Sequence, residues 1–197
     1  MIKRTFDLIF SVIFLTLTFP FILILGILVV IDSKGPMFIF QERIGKDMKP
    51  FYLVKLRTMF TDSESKGLLT IGNRDHRVTK VGYFLRKYKL DEFPQFWNVL
   101  LGEMSVVGPR PEVKKYVDLY SSKQKEIFQF RPGITDVSSI CFWNESDLLA
   151  QAPDPEKHYI DVILPQKIEM SMSYSQNAHL GSDLAIILKT VKSFFIK

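Results

Sequence analysis

A stretch of 24 residues without a charge, Leu8 to Ile31, decides most of what this chain can become. Only Ser11, Thr16, Thr18, Pro20 and Gly26 interrupt its aliphatic and aromatic side chains. An uncharged run beyond about 18 residues predicts a membrane helix, whereas a buried core helix is usually shorter and apolar on one side. A cleaved export signal needs small residues at its cleavage site, and no alanine precedes Ala150. The run therefore predicts membrane insertion. As a straight helix it would be about 36 Å long, enough for a hydrocarbon core of about 30 Å. Pro20 cannot donate the N–H that would satisfy the Thr16 carbonyl, and the Thr16 and Thr18 hydroxyls are nearby donors. A chain turning back at Pro20 would reach only about 18 Å deep. Lys3 and Arg4 precede the run, and Lys34, Arg43, Lys46 and Lys49 follow it. Basic residues mark the cytoplasmic side, so basic flanks at both ends favour a hairpin that enters and leaves one leaflet. These residues alone leave the spanning and re-entrant forms open.

Charge is unevenly spread over the 197 residues. Residues 1–60 carry 8 basic and 4 acidic groups, 61–135 carry 13 and 9, and 136–197 carry 5 and 8. A basic first two-thirds points to phosphates or an anionic membrane face as partners. With 47% apolar and 24% charged residues, disorder is excluded as the main state. The single cysteine, Cys141, excludes an internal disulfide and a Cys-rich zinc site, which fits a reducing compartment. His76, His158 and His179 lack metal-ligand spacing. There is no Walker-type loop, no G-x-G-x-x-G, and no interleaving of aromatic and basic residues that would favour nucleic acid.

After the turn cluster Asp32-Ser33-Lys34-Gly35-Pro36, two strand-like stretches, 37–44 and 50–57, read as a β-hairpin. The polar segment 61–73, with Gly67 and Gly72, reads as a mobile loop. Residues 78–89 have helical spacing at Val81, Phe84, Leu85 and Tyr88. A second helix is expected from Asp91 or Glu92, with Asp as its N-cap, Pro94 in its first turn and Gly102 as its stop. Short helices are expected over 111–120 and 123–130, a helix opening near Asp154-Pro155-Glu156, and a last helix over 182–195. In that last helix Leu184, Ile187, Leu188, Val191 and Phe195 share a face, with Lys189 and Lys192 elsewhere. It suits a membrane surface or ordinary core packing equally. The fold class is α-rich α+β: membrane residues 1–36, then a globular domain over 37–197 with interfacial helices and a small β-hairpin.

Three segments concentrate chemistry. Asp91 sits at an expected helix N-terminus with Arg86, Lys87 and Lys89 just upstream, so positive charge and the helix dipole both favour its ionised form. Exposed N–H groups at such an end also attract anions. A carboxylate beside a phosphate is reconciled by Mg²⁺, which takes carboxylates together with substrate phosphates, and a carboxylate can itself attack phosphorus. Glu92 projects about 100° around from Asp91, giving two carboxylates with different tasks. A plain N-cap explains the same pair without any catalysis. Arg110 is held between Pro109 and Pro111 and suits bidentate phosphate recognition, or a surface ion pair. Lys55 and Arg57 alternate on one face of a strand, placed to steady a diphosphate or to line a solvated edge.

Taken together, Lys3-Arg4 with Asp7, Gly35-Pro36, Gln41-Glu42-Arg43-Ile44-Gly45, Lys55 to Met59, and Val81 to Arg86 form ordered blocks. They continue through Leu90-Asp91-Glu92-Phe93-Pro94-Gln95, Asn98-Val99-Leu100, Gly102 to Ser105, Val107 to Pro111, and Arg131 to Thr135. The text resembles the bacterial sugar transferases, the monotopic phosphoglycosyl transferases. The resemblance implies transfer of a sugar 1-phosphate from a UDP-sugar to undecaprenyl (polyprenyl) phosphate, with release of UMP and a requirement for Mg²⁺. It implies Asp91 as nucleophile, forming a phosphosugar intermediate, and Glu92 assisting the second transfer or helping Asp91 hold the metal. Lys55, Arg86 and Arg110 are implied as phosphate ligands or charge neutralisers, and Arg57, from its place on the strand, is a further candidate phosphate ligand. The membrane run is implied to be a re-entrant helix-break-helix in the inner membrane, with the catalytic domain on the cytoplasmic face; a homodimer is compatible with it. The chain departs from the family pattern at Phe19, where serine is usual before the proline. It departs again at Asp136-Val137-Ser138-Ser139-Ile140, where Gly-Trp-Ala-Gln-Val is common, which implies an altered donor preference if that segment meets the nucleotide or sugar. A non-catalytic membrane anchor that recruits glycan-assembly enzymes is the rival reading from another class.

Overall fold

A computed structural model describes residues 2–61, 63, 69–72 and 75–194. Of the loop expected over 61–73, residues 62, 64–68 and 73 lie outside the described residues, as does Phe195 of the last expected helix. Helix α1 (Ile2–Asp32) contains the whole apolar run and stays helical through Pro20, with no break there. The backbone therefore differs from the helix-break-helix implied by the resemblance. Thr18 donates to the Phe14 carbonyl at 2.7 Å, a side-chain bond that bends helices without breaking them.

Polar groups divide α1 into an inner and an outer face. Asp7, Ser11, Ile22, Leu25, Gly26 and Val29 are buried at helical spacing, and Phe14 stacks on Phe96 with ring centroids 4.0 Å apart. The outer face, including Ile13, Leu17, Phe21, Ile24 and Ile31, is exposed. Only 22% of the most apolar window of α1 is buried inside the protein, which sets it apart from a core helix. An apolar surface of this extent marks a membrane or partner contact.

Strands β1 (Phe38–Ile44) and β2 (Pro50–Leu56) form the expected antiparallel hairpin, with Ile39 opposite Lys55 and Ile44 opposite Pro50. Helix α2 (Lys80–Lys87) is capped by Thr79, whose side chain accepts from Gly82 N, while Asp32 at the end of α1 accepts from Val81 N at 2.9 Å. A 3₁₀ turn, Leu90–Glu92, and helix α3 (Gln95–Leu101) follow; Gly102, at φ 87°, ends α3 as expected. Strand β3 (Ser105–Val107) pairs in parallel with β4 (Gly133–Thr135), a three-residue match too short to show as periodicity. Between them lie α4 (Lys114–Val117) and a 3₁₀ segment, Gln124–Gln129, both shorter than expected.

The last third is helical: α5 (Val137–Cys141), α6 (Glu145–Ala150), α7 (Pro155–His158), a π segment Tyr159–Ile163, α8 (Leu164–Gln176) and α9 (Leu180–Ser193). Asp154 caps α7 by accepting from Lys157 N at 3.0 Å. In α9 the inward residues are Asp183 and Ile186, and Ile187 packs partly against the core, while Leu184, Leu188 and Val191 are exposed, so most of the expected apolar stripe faces away from it. One core joins the first half of α1 to β2, α3, β3 and α9, a second joins its second half to the end of β2 and α2, and a third lies under α4, α6 and α8.

Candidate active site

The paired carboxylates sit where α2 reverses into α3. Lys89 takes a left-handed conformation, φ 52°, and the chain drops straight into the 3₁₀ turn holding Asp91 and Glu92. Such a φ at a non-glycine residue is strained and is concentrated at functional sites. Asp91 does not cap a helix as expected; it lies inside the turn, and both acids are 8% exposed.

Three elements converge on this turn. Lys55, near the end of β2, donates to Glu92 Oε1 at 2.9 Å. Arg110, after β3, donates to Glu92 Oε1 at 2.5 Å and Oε2 at 3.3 Å, a two-bond grip. Arg86, in the last turn of α2, donates to Thr70 Oγ1 at 2.6 Å and is felt electrostatically by Asp91. The segment carrying Arg110 is fixed by close backbone contact. Gly108 N donates to the Thr135 carbonyl at 3.0 Å and Gly133 N to the Pro109 carbonyl at 2.9 Å. A Cβ on Gly108 would stand 2.4 Å from the Arg131 carbonyl, and one on Gly133 2.1 Å from Gly108 N, so only glycines allow this approach.

The two acids respond oppositely to this setting. Burial raises the Asp91 carboxyl above the ordinary aspartate value, and Glu92 adds to the rise; Lys55, Arg86 and Lys89 oppose it without overcoming it. This reverses the expectation that nearby cations would favour ionised Asp91, because desolvation outweighs them. Burial also acts to raise Glu92, but there the charges of Arg110 and Lys55, with the Arg110 hydrogen bond, prevail and hold it well below the usual range. Burial lowers Lys55 and Lys89, while Glu92 raises Arg110. Among the described residues no group donates a hydrogen bond to the Asp91 side chain. One carboxylate is clamped and its neighbour is open.

Arg57 stands apart from this cluster. The strand ends at Leu56, and the Arg57 guanidinium turns back to the C-terminus of α1. It donates to the Ser33 carbonyl at 2.7 Å, the Pro36 carbonyl at 2.7 Å and Ser33 Oγ at 2.5 Å. The carbonyls of Ser33 and Pro36 lie just beyond the end of α1, outside its hydrogen-bond ladder, and Arg57 donates to them. Strand alternation puts it on the Lys55 face only if the strand runs one residue further than it does.

Two further residues, Lys89 and Arg43, enter the site, and a third, Gln95, follows the turn in the chain. Lys89, which the sequence shows only as background charge, is half-buried within electrostatic reach of both acids, with its ammonium 5.2 Å from the Trp143 ring centroid. Arg43, on β1, binds Glu112 at 3.2 Å and lies within electrostatic reach of Glu92 and Arg110. Gln95, one helical turn beyond Asp91, is 1% exposed and its amide nitrogen lacks a partner among the described residues. Its i+4 spacing from Asp91 is the signal that could have found it. Around two carboxylates stand Lys55, Arg86, Lys89 and Arg110, an excess of positive charge suited to a diphosphate. No group of three or more His, Cys, Asp or Glu side chains forms a metal cage among the described residues. A Mg²⁺ shared with substrate phosphates needs only one or two carboxylates, and the open oxygens of Asp91 fit that role better than clamped Glu92.

A buried acid pair ringed by cations thus stands beside a long helix whose outer face is apolar and exposed. The chain belongs to the bacterial sugar transferases, the family whose sequence model matches residues 1–197. It is 34% identical over 196 residues to UDP-N-acetylgalactosamine-undecaprenyl-phosphate N-acetylgalactosaminephosphotransferase of Aeromonas hydrophila, covering 98% of this chain and 43% of that one. It is 37% identical over 198 residues to UDP-glucose:undecaprenyl-phosphate glucose-1-phosphate transferase of Klebsiella pneumoniae, covering 98% and 40%. A protein of that same name from Caulobacter vibrioides is 34% identical over 194 residues, covering 97% and 68%. The chain thus spans less than half the length of the first two relatives.

Proposed function

We propose that this protein is a phosphoglycosyl transferase that moves a sugar 1-phosphate from a UDP-sugar to undecaprenyl (polyprenyl) phosphate and releases UMP. The reading adds the first membrane-bound sugar of a capsule, O-antigen, exopolysaccharide or glycoprotein glycan. The observation that carries it is the contrast at one turn: Glu92 locked by Lys55 and Arg110, and Asp91 beside it buried, with no hydrogen-bond donor among the described residues. An open carboxylate among cations is arranged to attack phosphorus, not to hold the fold together.

In the first half-reaction an Asp91 carboxylate oxygen attacks the sugar-bearing phosphorus, the bond from that phosphorus to the bridging oxygen breaks, and UMP leaves with the electron pair. In the second, a phosphate oxygen of the lipid attacks the same phosphorus and Asp91 departs as a carboxylate. Lys55, Arg86, Lys89 and Arg110 bind the phosphate oxygens and offset the charge that builds on them. Glu92 fixes Lys55 and Arg110 in place and is within reach to assist the second attack. Asp91 and Glu92 are the residues that would hold a Mg²⁺, which when bound would supply Lewis-acid neutralisation of the diphosphate.

The placement of α1 supports insertion from the cytoplasmic side only, in the bacterial inner membrane. Arg4 and Asp7 near one end and Asp32 and Ser33 at the other all bond to the same catalytic domain. A spanning helix would put those ends on opposite sides of a hydrocarbon core about 30 Å thick, where a domain on one side could not bond to both. The exposed apolar faces of α1 and α9 would meet lipid, and the acceptor phosphate would meet Asp91 at the headgroup level.

A test is UMP release by purified protein with a panel of UDP-sugars, undecaprenyl phosphate and Mg²⁺. Release by the wild type that chelation of Mg²⁺ abolishes is expected, along with a radiolabelled phosphosugar on residue 91 in trapping. No release with any donor would favour the recruiting anchor.

A further inference from the structure

Asp7 is a buried carboxylate on the inner face of the membrane helix, 2% exposed, and none of the ion pairs among the described residues involves it. Removing a carboxylate from water without a countercharge is costly, so its hydrogen bonds must carry the compensation. Its Oδ2 accepts from Ser105 Oγ at 2.9 Å and its Oδ1 from Val106 N at 3.1 Å. Both donors lie on β3. The other edge of β3 is already used: Ser105 N donates to the Pro132 carbonyl at 2.8 Å and Gly108 N to the Thr135 carbonyl at 3.0 Å. Val106, between them, turns its N–H to the opposite edge, where α1 supplies the acceptor.

β3 runs directly into Gly108-Pro109-Arg110. The Gly108–Gly133 contact and the two prolines leave that segment little freedom, so a shift of β3 carries Arg110 with it. Arg110 in turn grips Glu92. One turn earlier on α1, Arg4 donates to the Val99 and Leu100 carbonyls at 2.6 and 3.1 Å, at the end of the helix that follows the acid pair. The first two turns of α1 therefore hold the two halves of the site, α3 through Arg4 and the Arg110 segment through Asp7.

We propose that Asp7 is a positioning residue for phosphoryl transfer, setting where Arg110 stands relative to the Asp91–Glu92 turn. The inference rests on the transferase reading and adds that the apolar helix is part of the catalytic framework as well as an anchor. Asp7→Asn keeps the shape but turns an amide N–H₂ toward one of the two donors, so β3 is pushed off its place. Small misplacements of this kind cost about 10²-fold in rate.

The experiment measures UMP release and thermal melts for full-length protein in lipid nanodiscs, with Asp7→Asn, Ser105→Ala and Arg110→Lys singly and in pairs. Asp7→Asn is expected to lower kcat roughly 30-fold with donor KM changed by less than about threefold, and to add less than about threefold in the Arg110→Lys background. That non-additivity is the signature of acting through Arg110; a purely structural role lowers the melt and multiplies with the second substitution. Wild-type kcat in Asp7→Asn, or losses that multiply, overturns the assignment while leaving the transferase reading intact. If Asp7→Asn fails to fold, Ser105→Ala with Arg110→Lys runs the same cycle: non-additive losses support the assignment, and multiplying losses overturn it. A wild type that releases no UMP sinks the transferase reading, and this assignment with it.

Discussion

Two clusters of buried acid lie close together in this molecule and are built on opposite plans. Asp136 is fully buried and accepts from Ser139 N at 2.7 Å, from Ser138 Oγ at 3.0 and 2.9 Å, and from Ser171 Oγ. Neutral donors satisfy it, it caps α5, and it binds α5 to α8. At the Asp91–Glu92 turn the donors are cations, and among the described residues they converge on one acid and leave the other without a donor. Arg110 stands between the clusters, its charge supported first by Glu92 and more weakly by Glu145 and Asp136. A cavity of about 20 Å³ lies beside Arg110, Ser138, Lys167 and Ser171, room for about one water. A carboxylate whose hydrogen bonds are complete holds structure together; one left incomplete among cations is kept for something that arrives.

The contrast is tested most severely by Asp91→Asn. Removing the open carboxylate should lower UMP release by roughly 10³-fold or more while the protein still folds, measured by turnover and melting on the same preparation. Retained turnover would erase the distinction between the two acids. Arg110→Ala comes next, with an expected loss of about 10²–10³-fold in kcat, the usual cost of removing one donor from developing phosphoryl charge. Because Lys55 remains on Glu92, the melt should fall far less than the rate. Unchanged activity would return Arg110 to the role of a simple ion pair.

Asp136→Ala is expected to show the reverse pattern. It strands Ser138, Ser139 N and Ser171 without their acceptor, at a cost of about 2–4 kcal/mol of stability. The folded fraction should keep most of its turnover. A rate loss of the size seen at Asp91 with an undisturbed melt would make Asp136 a substrate residue, and its departure from the family pattern would then bear on the donor.

Much of this was legible in the chain itself. The apolar run, the β-hairpin, α2 and the end of α3 at Gly102 follow from periodicity, proline and glycine, which act locally. The acids and their cations were legible as residue types in three segments. Their geometry was not, because it depends on β3 and β4, strands of three residues each that exist only through the Gly108–Gly133 contact. Arg57 shows the same limit from the other side. Alternation places it with Lys55, and the carbonyls just beyond α1, twenty-odd residues away, draw it off. The rise in the Asp91 pKa was also out of reach, since charge can be counted in a sequence but desolvation needs the fold.

That rise yields the smallest effect and a signed one. An acid whose folded pKa lies above its unfolded value of about 3.9 favours the folded state below that value, and the benefit is lost as pH rises through the folded pKa. At neutral pH ionised Asp91 therefore opposes folding, whereas Glu92, held low, contributes stability above its unfolded value of about 4.3 and loses it as pH falls through its folded value. Asp91→Asn removes the opposing group, so its melt should stand at or above wild type near pH 7 and the gap should close as pH falls below about 4. In the wild type the acid limb of kcat/KM, which reports the free enzyme, should lie above the ordinary aspartate value because turnover needs the ionised form. A variant that melts lower than wild type at neutral pH would mean that Asp91 is bonded in the folded protein after all, and the difference between the two acid clusters would collapse into one of degree.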